Sequence, residues 1–214
     1  WEGEAPPIEA SGSADRGYHH ETDETNQVHI AVAHDAPPES TDDALLEKAV
    51  IAALSGGMSG RLFTEVREKR ALVYAVYARY RSDRDFARVS AYAGTTPERA
   101  QETLDVLLHE LGRLNETAER GGGIDKSEFD RAIVGMKSRV VMSGESTGAR
   151  AGALAGDYHL LGRPRTLEEI TEAIDALTLE RVNAYLARRR LGEMTVVTIG
   201  PAALTMPEGA SRVA

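Results

Sequence analysis

The sequence predicts an α+β fold, with strands clustered near the two ends of the chain and a run of helices between them. Three observations carry this. In "QVHIAVAH" (27–34), Val28, Ile30 and Val32 alternate with His29, Ala31 and Ala33, the period of a half-buried strand. Two more strand-like segments, "ALVYAVYARY" (71–80) and "FARVSAYAG" (86–94), flank the turn "SDRD" and are most simply an antiparallel pair. Helical spacing then continues from Thr96 to the approach of "MTVVTIG" (194–200), a closing buried strand. The resulting order, β-α-β-β-α-α-α-α-α-β, segregates strands from helices and argues for an antiparallel-rich sheet packed on one side by helices.

Each element has a local cause. Residues 1–26 are rich in Pro, Gly, Ser and acids, lack strand or helix periodicity, and read as a linker from a preceding part of the polypeptide. After the strand at 27–34, "DAPPEST" breaks the chain, and Ser40 or Thr41 can cap a helix over 42–54. That helix is apolar nearly all round and should be deeply buried. A short helical piece, "RLFTEVREKR", precedes the strand pair. Thr96-Pro97 opens the next helix, with Leu104, Leu107, Leu108 and Leu111 on one face. Asp125 with Glu128 caps a helix carrying Phe129, Ala132, Ile133, Met136 and Val140 at helical spacing. Another helix covers about 146–161, Thr166 with Glu169 forms a capping box, and Thr178 starts a last helix with Val182, Tyr185 and Leu186 inward. The domain therefore spans 27–202, and 203–214 reads as a loose tail.

Composition removes several function classes. A net charge of −9 and a pI near 5.2 argue against a nucleic-acid binder, which needs a basic face to neutralise phosphates, and the dense basic run "LARRRL" (186–191) reads as the solvated end of a helix. There is no apolar run long enough to span a bilayer. The absence of cysteine removes disulfides, thiolate metal sites and thiol nucleophiles, and fits either cytoplasm or periplasm.

The stretch "SGGMSGRLFTEVREKRALVYAVYARY" (55–80) holds the most chemistry. Gly56, Gly57 and Gly60 are not a phosphate loop, because Arg61-Leu62 stands where Lys-Ser/Thr is needed and the preceding element is a helix. They read instead as turn glycines allowing positive φ and close backbone approach. The histidines lack the one-turn spacing of a zinc site, and His29 and His34 fall on opposite faces of their strand. No Gly-x-Ser-x-Gly elbow is present. Arg67 could sit in a surface ion pair with Glu65 or Glu68, and Tyr74 could pack in its strand beside Val76.

"GGMSGRLFTEVREKRALVYAVYA" resembles the signature of the second half of insulinase/pitrilysin-type zinc metallopeptidases, the group that includes mitochondrial processing peptidase. "ETNQVHIAVAHDAP", "STGARAGALAGDYHLLGRPRTLEEITEAIDALTLERV" and "MTVVTIGPA" extend the resemblance over residues 22–202. It implies a zinc-free half that closes around a chamber with a zinc-bearing half, on the same chain or a separate subunit, carrying His-x-x-Glu-His. Zinc is then expected in that partner and no cofactor in this chain, which lacks the motif. Arg67 and Tyr74 match the family's arginine and tyrosine, seven residues apart, that reach the scissile peptide. A guanidinium and a phenol are suitable donors to the negative charge that develops on a carbonyl oxygen. Two positions depart from the family pattern: Ala71 replaces a common glycine and Val73 a small residue, and both would narrow the approach to a peptide substrate. The resemblance leaves a second reading open, a non-catalytic assembly module like the core subunits of respiratory complexes. In either case an exposed apolar patch is expected on the surface that an absent partner would cover, and a homodimer could form through it.

Overall fold

In a computed structural model, residues 16–116 and 120–206 are described. A five-stranded sheet forms the frame: β1 (Gly17–Thr22), β2 (Val28–Ala36), β3 (Val73–Ser82), β4 (Ala87–Thr95) and β5 (Thr195–Gly200). Their order across the sheet is β1-β5-β2-β4-β3. The β3–β4, β4–β2 and β2–β5 pairs are antiparallel and β1–β5 is parallel. The architecture is the predicted α+β one.

Alternation decides which face is buried. Val28, Ile30, Val32 and His34 of β2 point inward with Ala87, Val89, Ala91 and Ala93 of β4 and Val196 of β5. On that side lie α1 (Asp43–Ser55), α2 (Ala100–Arg113), α3 (Lys126–Glu145), α5 (Leu167–Asp175) and α6 (Leu179–Arg188), whose apolar stripes join one core cluster. In α4 (Thr147–Leu161) Tyr158 is exposed and Asp157 is buried beside Arg165. The other sheet face keeps Ala31, Arg79, Arg88 and Val197 exposed.

The capping signals hold where the side chain has a backbone N–H to accept. Asp125 with Glu128 and Thr166 with Glu169 both form capping boxes, and Thr178 accepts from the Arg181 N–H. At α1 the expected cap does not form. Asp42 is the N-cap without a side-chain bond, and the Thr41 hydroxyl instead donates to the Pro38 carbonyl, 2.7 Å away.

Three expectations change. The segment read as linker supplies β1, which pairs from Gly17↔Thr195 to Thr22↔Gly200; its residues 1–15 lie outside those described. Its anchors are polar: Tyr18 Oη and His20 Nδ1 lie 2.8 and 2.9 Å from the Thr198 hydroxyl. The tail is held as far as it is described, since the Leu204 N–H donates to Tyr18 Oη and Leu204 and Met206 pack on the core. The basic run is not wholly solvated either. Arg188 pairs with Asp43 at the surface, but Arg189 is buried and donates to Glu47, a carboxylate of α1 with no exposure. Glu47 also accepts from Tyr185 at 2.5 Å, and Asn115 bonds the other side of the Arg189 guanidinium.

Candidate functional site

The glycine turn sets up the site by sterics. Gly57 has φ 107°, and a Cβ on Gly60 would lie 2.9 Å from the Gly56 nitrogen and 3.0 Å from the Leu54 carbonyl oxygen. Tight approach of backbone to backbone requires glycine there. The next residue, Arg61, turns into the protein. Its Nε donates to Glu128 at 2.7 Å and its Nη2 to the Gly123 carbonyl at 2.7 Å. Glu128 is the carboxylate that also closes the α3 capping box, so Arg61 ties the turn to the start of α3. Sequence reasoning passed over Arg61, whose only signal was its place directly after the turn.

Phe63–Glu68 then forms one π-helical turn, a wide i→i+5 coil that is rare in proteins and concentrated at functional sites. It ends in a corner whose backbone is hydrogen-bonded at both Ala71 and Leu72. The Ala71 N–H donates to the Arg67 carbonyl at 3.0 Å and the Leu72 N–H to the Val66 carbonyl at 3.1 Å. In the other direction, the Leu72 carbonyl accepts from Thr95 Oγ1 at 2.6 Å and the Ala71 carbonyl from the Arg99 guanidinium. These bonds at Ala71 and Leu72 brace the corner between Arg67 and Tyr74 and restrict where the two side chains leave the backbone.

Ala71 itself has φ 52°, the left-handed region. This explains the family glycine that it replaces, because a glycine adopts that conformation without the Cβ clash. The expected narrowing at Val73 does not arise from its side chain, which is buried in the core and faces away from the surface.

Arg67 and Tyr74 are both exposed. The surface ion pair does not involve Arg67: Glu65 is held by Lys69 at 2.7 Å and Arg70 at 3.0 Å. Among the described residues Arg67 makes no ion pair, and its guanidinium rests over the Phe63 ring, 5.1 Å from the centroid. Tyr74 does not pack beside Val76. It is 44% exposed, and its hydroxyl donates to Gln27 Oε1 at 2.9 Å. The two side chains are not bonded to each other; the Arg67 guanidinium keeps donors toward solvent, while the single Tyr74 O–H is taken up by Gln27.

Around Tyr74 the uncovered sheet face carries aromatic and basic groups. Tyr92 stacks on Tyr77 at 5.2 Å and on His29 at 6.0 Å, and its hydroxyl lies 2.7 Å from His29 Nδ1. Burial pushes the Tyr92 phenol up to about 12, with the neighbouring hydroxyls of Tyr74 and Tyr77 adding to the shift. Arg79 lies over the Tyr77 ring at 4.4 Å, and Arg81 is opposite Arg88 in the β3–β4 register. This part of the face is basic although the chain as a whole is acidic. Among the described residues no three His, Asp or Glu side chains are grouped as metal ligands.

The profile of the Peptidase M16 inactive domain matches residues 3–136, the stretch holding the glycine turn, the π turn, Arg67 and Tyr74. The chain belongs to this family. An uncharacterized zinc protease of Bacillus subtilis is 34% identical over 140 residues, covering 65% of the chain and 33% of that protein. Another, from Mycobacterium bovis, is 30% identical over 181 residues, covering 83% of the chain and 40% of that protein. The chain thus spans well under half the length of these relatives. A crystal structure of a peptidase M16 inactive domain from Pseudomonas fluorescens shares the fold, with a TM-score of 0.73 and 23% identity over 89% of the chain and 45% of that one. The M16 inactive domain fold therefore accounts for the one-sided sheet. No helix among the described residues is long and apolar enough to cross a membrane.

Proposed function

We propose that this M16 inactive domain acts as the zinc-free half of a chambered zinc metallopeptidase, donating hydrogen bonds from Tyr74 and Arg67 to the scissile carbonyl of a peptide. The observation that carries the reading is the state of these two groups: exposed, free of carboxylate partners, and flanking a corner hydrogen-bonded at Ala71 and Leu72. Preorganised donors need no rearrangement when charge develops on the carbonyl oxygen, which is why such groups lower barriers. Tyr74 contributes a neutral O–H and Arg67 a fixed positive charge. The partner half, on the same polypeptide or a separate subunit, would hold zinc and with it supply Lewis acidity and an activated water.

The test is reconstitution with the zinc-bearing half. Tyr74→Phe and Arg67→Ala are each expected to lower kcat on the order of a hundredfold while leaving assembly intact. Unchanged turnover in both variants refutes the donor role. The chain alone should neither bind zinc nor cleave peptides, and hydrolysis by a metal-verified sample of it would place the metal here instead. A stable complex that cleaves nothing, with an intact His-x-x-Glu-His in the partner, would favour the assembly-module reading.

A further inference from the structure

Tyr74 rests in a seat built by residues outside the arginine–tyrosine pair. The β3–β4 register passes from Val73↔Thr95 to Ala75↔Gly94, so Tyr74 is the extra residue of a β-bulge, a device that re-aims a side chain. Its ring is laid against the backbone of Gly94. A Cβ there would stand 2.6 Å from both Cζ and Oη of Tyr74 and 2.8 Å from Cε2, far inside contact distance. Gly94 is not among the glycines with positive φ, so backbone conformation does not require it; the space above it does. A glycine inside a central strand weakens the strand, and here that vacancy is filled by the phenol ring.

The seat has further walls. Gly94 pairs with His29 across β2, and on the same face Tyr92 pairs with Ala31. The His29–Tyr92 contact at 2.7 Å and the Tyr92–Tyr77 stack at 5.2 Å hold an aromatic row beside the Tyr74 ring. Gln27, just before β2, accepts the Tyr74 proton at 2.9 Å. Its own backbone carbonyl is held by the Thr25 hydroxyl at 2.6 Å.

We infer that Gly94 and Gln27, backed by the His29–Tyr92 pair, are positioning residues that hold the Tyr74 phenol where it meets the substrate carbonyl; this rests on the proposed donor role of Tyr74. Gly94 sets the height of the ring above the sheet. Gln27 parks the hydroxyl proton when no substrate is present, and rotation about the phenolic C–O bond carries that proton to the carbonyl oxygen without breaking a covalent bond. An unseated tyrosine on an exposed strand would sample several rotamers, and small misplacement of a catalytic group costs rate steeply.

The experiment uses the protein assembled with its zinc-bearing half and compares Gly94→Ala and Gln27→Leu on wild-type and Tyr74→Phe backgrounds. Each should lower kcat roughly tenfold or more with KM near the native value. Neither should lower it further when Tyr74 is already Phe. The inference is overturned if Tyr74→Phe slows turnover but Gly94→Ala and Gln27→Leu do not, or if their losses multiply with that of Tyr74→Phe. Gln27 is at the surface, so its variant keeps the test open if Gly94→Ala fails to fold. A nuclear Overhauser contact between the Gly94 Hα protons and the Tyr74 ring reads the seat without activity. Its absence from the native spectrum overturns the seat. A clear contact together with an inert Tyr74→Phe would fault the donor role alone, and with it the kinetic purpose assigned to the seat.

Discussion

Replacing Arg189 with Met tests whether the buried ion pair under the sheet holds the helices together. Arg189 is 5% exposed and Glu47 not exposed, with Nη1 2.9 and 3.2 Å from the two carboxylate oxygens. Charges about 3 Å apart attract by roughly 5 kcal/mol at an effective dielectric near 20, against a desolvation penalty of similar size. Methionine keeps most of the apolar stem but strands Glu47 with Tyr185 as its remaining partner and leaves the Asn115 carbonyl without its donor. Breaking such a pair on one side destabilises by about 3–5 kcal/mol, and the Tyr185 bond places this site at the lower end, near 3 kcal/mol. For a chain of this size that corresponds to a Tm lower by roughly 6–12 °C. Urea denaturation followed by circular dichroism measures it, with an unchanged m-value confirming that native compactness is kept. Adding Glu47→Met should restore most of the loss, because the unpaired charge is then gone. A loss below about 1 kcal/mol in Arg189→Met, or no recovery in the double variant, would show that the pair is not the tie between α1 and the end of α6 described here.

Other predictions concern pH and the corner at Ala71. Burial lowers the His34 pKa below its ordinary 6.5, with Arg189 acting in the same direction and Glu47, Asp35 and the Asp35 backbone carbonyl opposing. The folded state then binds fewer protons than the unfolded one at mildly acid pH. Stability is fully present above about 6.5 and falls as pH drops from there toward the lower folded value. His34→Gln should flatten that part of a stability–pH curve, and an unchanged slope between pH 7 and 5 would contradict the assignment. Ala71→Gly should raise stability by about 0.5–1 kcal/mol, since φ 52° carries a Cβ clash that outweighs the extra freedom of glycine in the unfolded chain. A lower Tm for this variant would mean that the corner is not strained.

Much of the fold was legible because its signals are local. Capping boxes at Asp125 and Thr166 need only a side chain and an N–H three residues on, and both formed. The alternation at 28–34 predicted which β2 side chains face the core, for the same reason: the pleat imposes it residue by residue. The strand at Gly17–Thr22 was not legible. "GYHHET" has no apolar alternation, and its partner, β5, lies at the other end of the chain. Polar anchors supplied by Thr198 cannot be read from the segment they hold.

The same division runs through the site. By itself the sequence determined the family, the glycine turn and the spacing from Arg67 to Tyr74, because these are properties of neighbouring residues along one stretch of chain. Tertiary structure decided what surrounds them: that Arg61 is a buried tie, that Glu65 pairs with Lys69 and Arg70 rather than with Arg67, and that Tyr74 lies on Gly94 with its hydroxyl donating to Gln27. Those relations join residues up to 67 positions apart, as in Arg61–Glu128. Only the packing of one strand or helix against another brings such groups within bonding distance, and that packing is settled by the whole core at once.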